Sequence, residues 1–139
     1  MSQSEMEITF PGGARVDAAY GPNTIRTDQS PPRGEGSAPE PFDLFLASLG
    51  TCAGIYVLSF CQQRGIPTDN IRLVQKMAYD QASHLMAKID LEIQLPPDFP
   101  EKYQDALIRA ASQCAVKRHL ENPPKIETYT TVIDQIPVE

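Results

Sequence analysis

The chain has 139 residues, with 18 acidic against 12 basic side chains, a net charge of −6, three cysteines and thirteen prolines. One domain fits that length, and the 41% apolar fraction argues against disorder. The acidic balance leaves no cationic surplus for nucleic-acid phosphates, the N-terminus lacks the marks of a secretory signal, and three cysteines make no secreted disulfide framework. A reduced, cytoplasmic globular protein is expected, with neither nucleic acid nor membrane as a partner.

Residues 6–10 alternate apolar and polar side chains, and Gly12-Gly13 supplies a turn. Residues 15–20 and 24–27 read as further short strands around the turn Gly21-Pro22-Asn23. Residues 28–40, rich in proline, glycine and serine, predict a loop whose length favours a functional role. Residues 41–64 predict a long helix. Pro41 suits its first position, Asp43 lies at the positive end of the dipole, and Arg64-Gly65 makes a fitting stop. From Phe42 to Cys61 the only charge is Asp43. Such a run is long enough to cross a bilayer. Ser48, Gly50, Thr51, Gly54 and Ser59 dilute it, however, so a central helix buried on all sides is expected.

Residues 70–79 and 84–95 predict a hairpin turned by residues 80–83. In the second strand Lys88, Asp90 and Glu92 alternate with Ile89, Leu91 and Ile93, so one face is polar and the other apolar. Residues 101–120 predict a second helix with Tyr103, Leu107, Ala110 and Cys114 on one stripe. Residues 125–134, with Ile126, Tyr129, Val132 and Ile133, predict a closing strand. Strands, helix, hairpin, helix and strand in that order point to a single antiparallel α+β domain spanning residues 1–139.

Cys52 lies near the middle of the first helix and Cys114 on the inward stripe of the second. Two helices in contact run about 8–10 Å apart, which lets facing cysteines reach disulfide distance. Cys61, nine residues after Cys52, is half a turn round and about 13.5 Å along the same helix, so it cannot pair with Cys52. The thiols sort into a possible pair and a bystander. Buried cysteines also serve as small hydrophobes, and burial raises a thiol's pKa. A nucleophilic Cys52 therefore needs a cation beside it, which Arg15, Arg26 or Arg33 would have to supply. Cys52, Cys114 and His119 make a poor zinc set, since no Cys-x-x-Cys exists. Lys117-Arg118 reads as a charge pair favouring the second helix's C-terminal dipole.

The run Pro41-Phe-Asp-Leu-Phe-Leu-Ala-Ser-Leu-Gly-Thr-Cys52, with Cys114 following 62 positions later, resembles the central motif of the OsmC/Ohr family, the osmotically inducible and organic hydroperoxide resistance proteins. That resemblance implies an intertwined homodimer in which two long central helices are wrapped by β-sheets. It also implies thiol peroxidase chemistry. Cys52 would attack the terminal peroxide oxygen, releasing an alcohol and leaving a sulfenic acid, and Cys114 would condense with it to a disulfide. An external dithiol reductant, lipoyl-linked in the best-known branch, would restore the thiols, and no metal or bound cofactor is required. The resemblance makes Arg15 the first candidate for the activating cation and Arg26 the second. Where the peroxidase branches carry a glutamate ten residues before the first cysteine, this chain has Phe42, with Asp43 and Glu40 as the nearby substitutes. A non-enzymatic redox-sensing or apolar-ligand-binding module on the same fold is the alternative expectation.

Overall fold

A computed structural model describes residues 4–134. Three short strands, β1 (Glu7–Gly12), β2 (Arg15–Tyr20) and β3 (Asn23–Thr27), form an antiparallel sheet in the order β1-β2-β3. The long helix α1 (Pro41–Gln63) follows, and then the antiparallel hairpin β4 (Arg72–Asp80) and β5 (Leu85–Gln94). A 3₁₀ turn at Glu101–Tyr103 leads into α2 (Gln104–Ala111), and α3 (Ala115–Glu121) comes last. The expected α+β architecture is present, and element order holds as far as the second helical region.

The core lies where α1, α2 and the β4–β5 hairpin meet. Leu49, Ala53, Val57, Phe60 and Cys61 are the buried residues of α1, spaced at four, four, three and one, so they form one stripe. Val57, Phe60 and Cys61 join Phe99 and Leu107 in the central cluster, where Leu107 is 1% exposed. Each large side chain so buried stabilises the fold by roughly 1.5–3 kcal/mol. The Phe60 and Tyr103 rings meet edge to face at 5.9 Å, and the Arg64 guanidinium sits 3.6 Å from the Phe60 ring centre. Gln75 ties β4 to α1 by donating from Nε2 to the Leu46 carbonyl at 2.9 Å. Gly50 makes that approach possible, because a Cβ there would lie 2.6 Å from the Gln75 Oε1.

Three expectations are corrected. First, α1 is buried along one stripe of a single chain, not on all sides: Phe42, Ile55 and Phe45 stay exposed. By length and composition the helix could cross a membrane, but its buried stripe serves as the core of this fold. Second, the helix expected over residues 101–120 is broken, first by the 3₁₀ turn and then at Cys114, whose backbone is extended (φ −45°, ψ 128°). Third, residues 125–134 pair with no strand, and Ile126, Tyr129 and Val132 are exposed. Their alternation suits a sheet edge, but one chain offers them no partner.

Candidate active site

The break in the second helical region builds the site. Ser112 and Gln113 leave the α2 helix, Cys114 turns the chain, and α3 restarts at Ala115. The Arg118 N–H donates to the Cys114 carbonyl at 3.0 Å, closing the first turn of α3 with Cys114 as its cap residue. The first N–H groups of a helix have no partner within it. Here those of Ala115 and Val116 lie near enough to Cys52 on α1 to favour its anion.

Cys52 is half-buried and Cys114 is 2% exposed; both are free thiols. The Cys114 thiol lies 3.9 Å from the carbonyl of Leu49, one turn before Cys52 on α1. The expected pair therefore meets at the α1–α3 contact. The Cys52 thiol is drawn below its ordinary pKa, first by the Val116 N–H and then by hydrogen bonding from the Cys114 thiol. Partial burial opposes this, while the Ala115 N–H and the positive Arg118 assist it. Cys114 moves the opposite way. Burial pushes its pKa up, the Lys117 N–H works against that, and the neighbouring Cys52 adds to the rise. The two thiols are thus displaced in opposite directions, Cys52 downward and Cys114 upward.

Cys61, the expected bystander, is fully buried, and its thiol pKa is raised by desolvation, with Arg64 acting in the opposite sense. Helical geometry separated it from Cys52 correctly.

The other candidates occupy different ground. Arg15 sits exposed at the start of β2 and donates from Nε to the Gly12 carbonyl at 3.2 Å. Arg26 lies opposite Asp17 in the β2–β3 ladder. Among the described residues of one chain, the guanidinium acting on Cys52 is that of Arg118. Asp43 accepts the Glu40 N–H at 3.3 Å, and Glu40 Oε1 accepts the Ser30 N–H at 3.1 Å. Both carboxylates fix the start of α1, and Asp43 is nine residues from Cys52, half a turn away in direction. Phe42 stacks on Phe45 at 5.5 Å. His119 donates its Nδ1–H to the Ala115 carbonyl at 2.6 Å, within its own helix. No cluster of metal-ligating side chains occurs among the described residues.

Sequence reasoning missed Val116 and Ala115, because a main-chain amide leaves no side-chain signal. It placed Arg118 near a helix C-terminus, where the helix was expected to be continuous.

A cleft of about 540 Å³ opens between the apolar face of β4–β5 and the α2–α3 segment. Leu73, Ile89, Leu91 and Ile93 line one side, and Leu107 and Ile108 the other. It reaches Cys114 and Leu49 but not Cys52.

Comparison with known proteins bears on the fold. The family described as OsmC-like protein matches residues 34–129. The structure is similar to an OsmC-like protein from Mycoplasma pneumoniae at 11% identity and TM-score 0.67, covering 88% of this chain and 89% of that one. It is also similar to an OsmC-like hydroperoxide resistance protein from Jannaschia sp. CCS1 at 23% identity and TM-score 0.52, covering 94% and 93%. A third likeness is to the organic hydroperoxide resistance protein OhrB of Bacillus subtilis, at 18% identity and TM-score 0.51, covering 86% and 92%. At these identities the likenesses establish the fold alone. None of the curated proteins matches the chain.

Proposed function

Because the chain belongs to the OsmC-like family, we propose that it is a cytoplasmic thiol peroxidase that reduces organic hydroperoxides through Cys52. The observation that carries this reading is the placing of two free thiols at the α1–α3 contact, with Cys114 as the cap residue of α3 and 3.9 Å from the Leu49 carbonyl on the turn of α1 before Cys52. In the proposed cycle the Cys52 thiolate attacks the terminal oxygen of the peroxide. The O–O bond breaks, an alcohol leaves after taking up a proton, and Cys52 becomes a sulfenic acid. Cys114 then attacks that sulfur, water departs, and a Cys52–Cys114 disulfide remains. An external dithiol reductant, lipoyl-linked or free, returns both thiols.

Main-chain N–H groups take part of the role that the family gives to an arginine held by a glutamate, which fits the presence of Phe42 at the glutamate's position. Glu40 and Asp43 serve the site indirectly by holding the start of α1. We further infer a homodimer. The β1–β3 sheet makes almost no contact with the helices of its own chain, and the apolar side chains of α1 outside its buried stripe stay exposed. A second copy would cover both, and Arg15 would enter the site in that setting.

The test is turnover of cumene or tert-butyl hydroperoxide with dihydrolipoamide as reductant. Activity that survives Cys52→Ser unchanged, or no activity in the native chain, ends the proposal. The apolar cleft favours a second reading, a ligand-binding module. Such a module keeps all three thiols after one equivalent of peroxide, whereas a peroxidase loses two.

A further inference from the structure

The two sulfurs of the proposed disulfide face different surroundings. Cys114 contributes to the wall of the apolar cleft, and Cys52 does not. Cys114 is 2% exposed, and the cleft is the open space that borders it. Cys52 is half-buried and lies on α1, outside the cleft lining.

We propose that the reductive half-reaction runs through this cleft, with the dithiol attacking the Cys114 sulfur and expelling Cys52 as the leaving thiolate. The inference rests on the peroxidase reading, because it needs the Cys52–Cys114 disulfide.

Thiol–disulfide exchange places the attacking, central and leaving sulfurs in a line, and it favours the leaving thiol of lower pKa. The cleft and the leaving-group preference select the same sulfur. The cleft is lined by Cys114 and not by Cys52, so an attacker in the cleft meets the Cys114 sulfur. The amides that draw Cys52 toward the thiolate in the reduced protein also receive it as it departs. Attack at Cys52 would instead expel Cys114, whose burial disfavours the anion.

The electrons balance. The reductant's first thiolate bonds to Cys114 as the Cys52–Cys114 bond breaks, and the electron pair leaves with Cys52. The reductant's second thiolate then attacks its own first sulfur, closes a cyclic disulfide and releases Cys114, which takes up a proton. The protein gains two electrons, and the dithiol is oxidised.

An apolar wall selects the body of the reductant as well. Butanedithiol and dithiothreitol share a four-carbon chain between their sulfurs and differ by two hydroxyls, which the cleft cannot satisfy with many partners. Butanedithiol should therefore reduce the oxidised protein several-fold faster.

The experiment starts from protein oxidised with peroxide or, separately, with diamide. A brief exposure to benzyl mercaptan is quenched with N-ethylmaleimide in acid, and the adduct is located by peptide mass spectrometry. The early mixed disulfide is expected on Cys114, about tenfold over Cys52; an early adduct mainly on Cys52 overturns the proposal. Ile108 and Leu120 line the cleft and are 57% and 52% exposed, so their substitution spares the core. Ile108→Glu and Leu120→Glu should each slow reduction by butanedithiol about fivefold while leaving the rate of Cys52 oxidation unchanged. Unchanged reduction rates in both variants overturn the cleft route.

The two oxidants separate this inference from its premise. A disulfide formed by diamide but not by peroxide refutes the peroxidase and still lets the route be measured. A pair that neither oxidant joins refutes both.

Discussion

The turn of α1 around Cys52 and the turn around Cys61 belong to one apolar helix, yet they treat a thiol in opposite ways. At Cys61 the surroundings are side chains: Phe60, Phe99 and Leu107 exclude water, and the thiol stays protonated. At Cys52 the surroundings include the open end of another helix, whose N–H groups favour the anion. Apolar sequence alone does not decide a cysteine's chemistry. What lies across the contact does.

The sharpest way to break this contrast is Cys52→Ser, which should cut hydroperoxide turnover by about a thousandfold; Cys61→Ala should leave turnover within about twofold. Alkylation of the native protein comes next. At pH 7, iodoacetamide should modify Cys52 about a hundredfold faster than Cys61, and unfolding in guanidinium should erase the difference. Peptide mapping of the labelled sites reads both rates.

A smaller effect concerns stability. Cys61→Ala removes a buried sulfur and should cost about 1 kcal/mol in a denaturant titration at pH 7. The folded-state pKa of Cys61 is raised, so its contribution is complete below the unfolded thiol's pKa and is lost as pH rises through the folded value. Cys52 has the opposite sign. Its folded pKa is lowered, so its contribution is present above the unfolded pKa and lost as pH falls through the folded value. Cys61→Ala should accordingly flatten the alkaline decline in stability.

The smallest expected change is Arg118→Gln. It should move the alkylation midpoint of Cys52 upward and slow labelling at pH 7 about twofold, with the gap narrowing in high salt. A larger shift would mean that the guanidinium, and not the main chain, governs the thiol.

Much of this arrangement was legible in the chain itself. Leu107 and Ala110 turned inward on α2 as helical spacing requires, whereas Tyr103 and Cys114 reach the interior from outside that helix, and nine residues of helix kept Cys61 away from Cys52. The break before Cys114 was not legible. Ser112-Gln113 contains neither proline nor glycine, and helical periodicity runs through it undisturbed. The strand expected at residues 125–134 failed for a different reason. Alternation specifies a face, but hydrogen bonds need a neighbouring edge, which local sequence does not reveal. The cleft was half legible, since the apolar face of β5 was evident and its separation from α2 was not.

The loop between β3 and α1 has the composition of a mobile lid, but its bonding is that of a buckle. Asp28, 1% exposed, accepts hydrogen bonds from the hydroxyl and the N–H of Ser37 and from the Gln29 N–H, while its own N–H reaches the Pro39 carbonyl. Gly34 passes so close that a Cβ would collide with the Gln29 carbonyl. Ser37 holds the Asp28 carboxyl at a pKa of about 2. Its folded value being lowered, the clasp stays fastened through mild acid and opens only as pH falls toward that value. Acid stress that protonates ordinary surface carboxylates would therefore leave this clasp between Asp28 and Ser37 fastened.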